Sequence, residues 1–236
     1  MVFTTTMTYI AKDYAKVILS IAGWDPINCR VSLFQGNTFI SPTTITQFSL
    51  YCIFDRLEIL RKHIEEHYPQ LTAPEFNFIA SRFQKTSASK GQVLLKEHAI
   101  CKEVHFAING TFKYYLEEDG QISITHFGFE EYWLGDLYSM MHNVQAKLSI
   151  MALEDCDLLR ISASELIFIF ENSKPFKEFQ RIKRERSYEA AISRTVDVYR
   201  DPKKRLISLI EKKPDFLSKI KLNEIAQYLK ISTYEL

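Results

Sequence analysis

The sequence predicts an α+β protein: an antiparallel β-sandwich or β-roll flanked by helices, then a long helix and a C-terminal helix-turn-helix. Three observations carry this. Short alternating apolar runs separated by turn residues fill the centre, an uninterrupted helical stretch begins near Pro175, and the last fifteen residues read as helix, turn and capped helix start. Composition agrees. Of 236 residues, 46% are hydrophobic and 25% charged, with only 7 Gly and 7 Pro, which excludes collagen-like, low-complexity and wholly disordered chains.

Residues 1–48 show no clear period and stand as an unassigned N-terminal extension, with Met7 as an alternative start. Their apolar run Val17–Ala22 is far too short to span a bilayer, and Gly23-Trp24-Asp25-Pro26 is a poor signal-cleavage site, so the expected location is cytoplasmic and no membrane partner is expected. Phe54, Leu57, Leu60 and Ile64 recur every three or four positions and predict an amphipathic helix up to His67. Thr72, Pro74 and Glu75 mark the start of a second, short helix. After Lys90-Gly91 the pattern becomes that of strands. Val104, Phe106 and Ile108 alternate, Asn109-Gly110 predicts a hairpin turn, and Phe112, Tyr114 and Leu116 alternate on the return. Glu118-Asp119-Gly120 makes the next turn, with Ile122, Ile124 and His126 on one face beyond it; Leu148–Leu153 and Leu158–Ile161 supply further strands.

Helical period returns at Ser164. The helix from Pro175 to Arg200 carries Tyr188, Ile192, Thr195 and Tyr199 at spacings of four, three and four, which predicts a dimer interface between two copies of the chain. Charge is divided along the sequence. Residues 174–236 hold 16 Lys+Arg against 9 Asp+Glu, whereas residues 1–173 hold 14 against 20, so the C-terminal part suits a polyanionic partner. In Leu222–Leu236, Ile225, Ala226 and Leu229 form an inner helix face, Ile231 plugs the turn, and Ser232 with Glu235 forms a Ser-x-x-Glu capping box. That pattern is a helix-turn-helix, whose second helix enters the DNA major groove. Lys219, Lys221, Lys230, Ser232, Thr233 and Tyr234 are the DNA-binding candidates.

In order and spacing, Lys90-Gly91, Asn109-Gly110, Glu118-Asp119-Gly120, Leu134-Gly135-Asp136, Ala152-Leu153-Glu154-Asp155, Cys156–Ile161, Ile225-Ala226 and Ile231-Ser232 resemble the Crp–Fnr superfamily of bacterial transcription regulators. The resemblance covers about residues 50–236. It implies a cyclic-nucleotide-binding-like β-roll of double-stranded jelly-roll type with N-terminal helices (49–173), a dimerisation helix (174–200) and an incomplete winged helix-turn-helix (201–236). The partners it implies are double-stranded DNA, a second copy of the chain and RNA polymerase, with either an unidentified small-molecule effector or none. Family members that bind cyclic nucleotides use a Gly-Glu pair for the ribose and an Arg-Ser or Arg-Thr pair for the phosphate. Here Gly135-Asp136 keeps the first pair in shortened form, Ala146 stands at the Arg position and Lys147 is adjacent. Gly135, Asp136 and Lys147 are therefore the effector-pocket candidates, and cyclic AMP is not expected as a cofactor or effector. The sequence runs only four residues into the second helix, which predicts at most non-specific DNA affinity for this stretch alone, and Lys230 replaces the glycine usual in the turn.

No catalytic constellation is legible, so the chain is not read as an enzyme, and no metal ligands are assigned. His98, His105, His126 and His142 read as structural or surface residues, and Cys29, Cys52, Cys101 and Cys156 lack the spacing of a zinc or iron–sulfur site. The alternative to a regulator is a ligand-sensing or protein-interaction β-roll module that has lost DNA binding.

Overall fold

The computed structural model describes residues 56–235; the extension 1–48, Phe54 and the cysteines Cys29 and Cys52 lie outside the described residues. Residues 56–65 form α1, with Leu60 and Ile64, one turn apart, fully buried. In α2 (Ala73–Ala80) the Thr72 amide and hydroxyl both donate to Glu75, at 2.9 and 2.7 Å, and fix the first turn.

Eight strands follow: β1 (Gln84–Ala88), β2 (Val93–Leu95), β3 (Glu103–Ala107), β4 (Phe112–Glu118), β5 (Gln121–Gly128), β6 (Trp133–Leu134), β7 (Ser149–Ala152) and β8 (Cys156–Ser162), with α3 (Leu137–His142) between β6 and β7. They build two antiparallel sheets, ordered β1-β8-β3-β6 and β2-β7-β4-β5. The chain ends in α4 (Ala163–Asn172), the long α5 (Lys174–Asp197), α6 (Pro202–Lys212), α7 (Phe216–Lys219) and α8 (Leu222–Leu229). This is an α+β fold around a two-sheet β-roll. No described helix is long and apolar enough to cross a membrane.

Because strand side chains alternate, each sheet buries both faces. Between the sheets lie Phe112, Tyr114, Ile150 and Ala152 from one and Ala107, Leu134, Cys156 and Leu158 from the other. The far face of the first sheet, with Val104, Phe106, Leu159 and Ile161, packs against Leu60, Ile64, Ile79, Leu166, Phe176 and Phe179 of the surrounding helices. On the far face of the second, Tyr115, Ile124, Phe127 and Leu153 meet Phe216, Ile220, Ile225 and Leu229 of the C-terminal segment.

Several local expectations are corrected. Asn109-Gly110 is not a hairpin turn: β3 pairs with β6 and β8, β4 with β5 and β7, so the dipeptide carries the chain from one sheet to the other. Its residues are held by β8 instead. Asn109 Oδ1 accepts from the Asp157 amide at 2.8 Å, and at Gly110 (φ +102°) a Cβ would stand 2.5 Å from Cys156 Cβ, so no side chain fits. Asp119-Gly120 does close a hairpin, both residues having positive φ as a type I′ turn requires. His126 does not share a face with Ile122 and Ile124. Tyr114 opposes His126 while Tyr115 opposes Ile124, so Thr125 is an extra residue on β5, and this bulge turns His126 inward. Strand structure also begins before Lys90-Gly91, in β1, and the long helix ends at Asp197 rather than Arg200. After α8, residues 230–235 form turns, and no second helix follows among the described residues.

Candidate functional site

The expected effector-pocket candidates Gly135, Asp136 and Lys147 stand around α3 and the loop that follows it. Asp136 is the N-cap: its Oδ1 accepts from the Ser139 amide at 2.9 Å, and its own amide donates to Cys101 Sγ at 3.4 Å. The carboxylate is thereby committed to the helix start. Ser139, fully buried, receives the Cys101 amide at 3.0 Å and donates to Val144 O, which folds the loop back over α3. Ala146 is 1% exposed, its amide donating to Ala99 O and its carbonyl accepting from the His98 amide, while Lys147 beside it is exposed. Gly135 thus sits at the mouth of α3, Asp136 caps it, and Lys147 points its charge to solvent.

Inside the roll, Tyr114 and His126 stack with ring centroids 4.1 Å apart. The Tyr114 hydroxyl donates to Trp133 O at 3.4 Å, and burial pushes its pKa well above the ordinary range. Thr125 donates its hydroxyl to Tyr114 O at 3.1 Å and lies 3.0 Å from His126 Nδ1. Burial first, and then the charge of Arg194 on α5, hold the His126 pKa down at about 3. The unfolded chain takes up this proton near the usual 6.5, so between there and about 3 the unfolded state binds more protons, and stability falls as pH falls. Urea titrations at pH 7 and pH 4.5 should show that loss, and His126→Phe should reduce it; an unchanged difference would place the acid sensitivity elsewhere.

On α5 the predicted interface residues are open to solvent. Tyr188 is 71% exposed, Ile192 49% and Tyr199, just past the helix end, 88%; Thr195 is exposed with its hydroxyl bonded to Ala191 O at 3.1 Å. They are joined on this surface by Val196.

The C-terminal candidates fall into two groups. Lys219 is already paired, with Nζ 3.5 Å from Glu154 and 3.4 Å from Asp215. Lys221 and Lys230 are exposed at the two ends of α8, and Lys230 takes the left-handed conformation (φ 59°), so its side chain stands where glycine carries no steric cost. The Ser232 amide and hydroxyl donate to Glu235 at 2.8 and 2.7 Å, forming the expected cap contacts, and Thr233 and Tyr234 are exposed. A cleft of about 450 Å³ separates this turn from the β4–β5 hairpin, lined by residues including Ile122, Ala226, Lys230 and Thr233. Ile225, Ala226 and Leu229 are buried as expected, but against the β-roll as well as α7. Across that contact Lys113 Nζ stands 3.1 Å from Glu224 Oε1, with side chains 8% and 12% exposed. The buried Arg205 donates to the Leu229 and Tyr228 carbonyls, at 3.3 and 2.8 Å, and closes the C-terminus of α8.

Two antiparallel sheets, a capped helix in the loop before β7 and a long helix leaving the roll are the parts that known proteins can be set against. Residues 85–173 match the cyclic nucleotide-binding domain family. Among solved structures, a protein assigned as a Crp/Fnr-family transcriptional regulator from Eubacterium rectale is 17% identical over 71% of this chain and 81% of its own, with a TM-score of 0.57. FixK2 from Bradyrhizobium japonicum is 13% identical over 64% of this chain and 79% of its own, with a TM-score of 0.54. The cAMP-bound regulatory domain of Toxoplasma gondii PKA is 15% identical over 48% of this chain; the chain spans 44% of that protein, with a TM-score of 0.43. At these identities the first two likenesses are ones of fold. No curated protein sequence matches the chain.

Within residues 85–173, sequence reasoning missed that Tyr114, Thr125 and His126 come together, because a one-residue bulge shifts the alternation without leaving a composition signal. It also missed Lys113 and Glu224, which are 111 residues apart and meet only through tertiary packing. Arg205 gave no signal beyond being one more basic residue after Pro202-Lys203-Lys204.

Proposed function

We propose that the chain is a homodimeric, DNA-binding transcription regulator of the Crp–Fnr type with a degenerate effector pocket. The observation that carries this reading is the sequence of parts: a cyclic nucleotide-binding domain, then a long helix with an exposed apolar stripe, then a basic segment with α8, a tight turn and a capped start at Ser232. The likeness of fold to the Crp/Fnr-family protein from Eubacterium rectale supports it. Residues 49–173, 174–200 and 201–236 serve as sensor, dimer helix and DNA-binding segment. A symmetric pairing through Tyr188, Ile192, Thr195 and Tyr199 suits two half-sites of a palindrome. Lys221 and Lys230 contact phosphate, with Ser232, Thr233 and Tyr234 leading into the groove; Lys219 contributes only if it leaves its carboxylate partners.

Light scattering combined with a duplex-DNA titration tests this. The parent chain should be a dimer at micromolar concentration whose DNA affinity falls steeply with salt, as counterion release requires. Ile192→Glu should give monomers with weaker binding, because two carboxylates would face each other across the symmetry axis. A parent that is monomeric and indifferent to DNA at low salt would support the alternative module without DNA binding. The observation favouring that alternative is that α8 spends much of its apolar face on the β-roll.

The effector is not cyclic AMP. A cyclic phosphate must be repaid for lost hydration by fixed donors. Ala146 offers no side-chain donor, Asp136 is engaged at the helix cap, and the Tyr114–His126 stack occupies the inner face of β4 and β5. Calorimetric titration with cyclic AMP and cyclic GMP should show no micromolar binding; binding that disappears in Lys147→Ala would show the loop gripping a phosphate after all.

A further inference from the structure

At the end of α1, side chains from distant parts of the chain converge outside the effector pocket. His63 lies in the last turn of α1 and is 7% exposed, Glu66 follows it just beyond the helix, and Glu131 arrives from the turn between β5 and β6. One ligand-capable atom of each lies within 4.8 Å of the other two. The closest approach is His63 Nδ1 to Glu131 Oε2, 3.2 Å. Two donors each about 2.1 Å from a shared ion, at angles between octahedral and tetrahedral, stand roughly 3.0–3.4 Å apart. The observed gap therefore fits a metal's coordination edge as well as a hydrogen bond.

The imidazole is held in place. Its ring packs on Phe106 and Phe179, with centroids 5.2 and 5.6 Å away, and the Glu131 amide is pinned to Ala107 O at 2.8 Å. Both carboxylates are exposed, which leaves an entry path and open coordination positions. The other side of the ring is taken: Lys183 of α5 has Nζ 3.4 Å from His63 Nε2. An ammonium only donates, so Nε2 is the accepting nitrogen and Nδ1–H donates to Glu131. A metal on Nδ1 replaces that proton, Nε2 becomes the N–H, and two donors then oppose each other, so the Lys183 ammonium must turn away or give up a proton, which its burial already favours. Metal and the charged Lys183 contact exclude one another.

We propose that His63 Nδ1 and one oxygen each of Glu66 and Glu131 form a site for a divalent transition-metal ion, and that Lys183 is the resident cation the ion displaces. One imidazole with two carboxylates suits manganese, iron(II), cobalt or zinc better than the all-oxygen preferences of calcium and magnesium. The site lies on the outer helix layer, independent of any effector in the roll.

The test is titration of the full chain with cobalt(II), read by its visible absorption, and with zinc by calorimetry. One ion per chain at micromolar affinity is expected. Glu66→Gln and Glu131→Gln, exposed and safe for the fold, should each weaken binding about tenfold or more. Lys183→Met should tighten it about tenfold by removing the cation that opposes the Nε2–H the metal-bound ring must carry. His63→Gln, checked for folding by circular dichroism, should abolish the cobalt spectrum. The proposal is overturned if the parent chain shows no saturable binding, if binding survives both glutamate substitutions, or if Lys183→Met leaves it unchanged or weaker.

Discussion

Glu224→Ala should destabilise the protein by about 3–5 kcal/mol, the usual result of breaking one side of a buried ion pair. The carboxylate is the 3.1 Å partner of Lys113, and the Lys113 ammonium also lies over the Tyr115 ring, 5.3 Å from its centroid. Remove the carboxylate and a charge remains in an enclosed, largely aromatic seam between β4 and α8. The same substitution costs the start of α8, because Glu224 Oε2 accepts from the Lys221 amide at 3.3 Å. The pair is not intrinsically stabilising, since each ion also lost its hydration on burial. Hence Lys113→Met combined with Glu224→Leu should recover most of the loss. Urea midpoints of the parent, Lys113→Met, Glu224→Leu and their combination give the cycle, with Glu224→Ala measured beside it. A loss below about 1 kcal/mol for Glu224→Ala would place the pair in the range of solvated surface bridges and α8 loosely on the sheet.

Phe106→Ala should cost about 3–5 kcal/mol, as large-to-small changes of fully buried aromatics do. Its ring is 0% exposed and touches His63 and Trp133, with centroids 5.2 and 5.4 Å away, at the joint where β3 meets α1 and the start of α5. The surrounding elements are a sheet and separately anchored helices, which cannot close on the void together. Phe168→Ala provides the contrast: that ring is 40% exposed beneath the Arg82 guanidinium, 4.4 Å away, and the change should cost far less. Thermal unfolding of both variants measures the difference, and equal shifts would contradict the assignment of Phe106 to the core.

What the sequence made legible follows from the range of each signal. The box at Thr72 and Glu75, the Asp119-Gly120 hairpin and the inner face of α8 are decided within a few residues, and the structure has them as read. Asn109-Gly110 has the same local chemistry as a hairpin turn, but whether its flanking strands pair is decided by β8, nearly fifty residues on. The short β2, β6 and α3 carry too few residues to show a period. His126 was misplaced because the bulge at Thr125 is an arrangement of two strands, visible only when both are present. His63 and Glu131, 68 residues apart, had no reason to be read together until the fold joined them.

The double-sided burial of the β2-β7-β4-β5 sheet has a consequence during synthesis. Its inner face is complete once β8 has emerged, but Tyr115, Ile124, Phe127 and Leu153 are covered by α7 and α8, which the ribosome delivers much later. Leu229 is made roughly 76 residues after Leu153, some 4–15 s at ordinary translation rates. A roll that folds as it emerges carries an apolar sheet face open to water for that interval, a surface of the kind that holdase chaperones engage. Its fate is then settled by a race between elongation and aggregation, and slowing translation between residues 160 and 230 should lower the soluble yield even though the finished protein is unchanged.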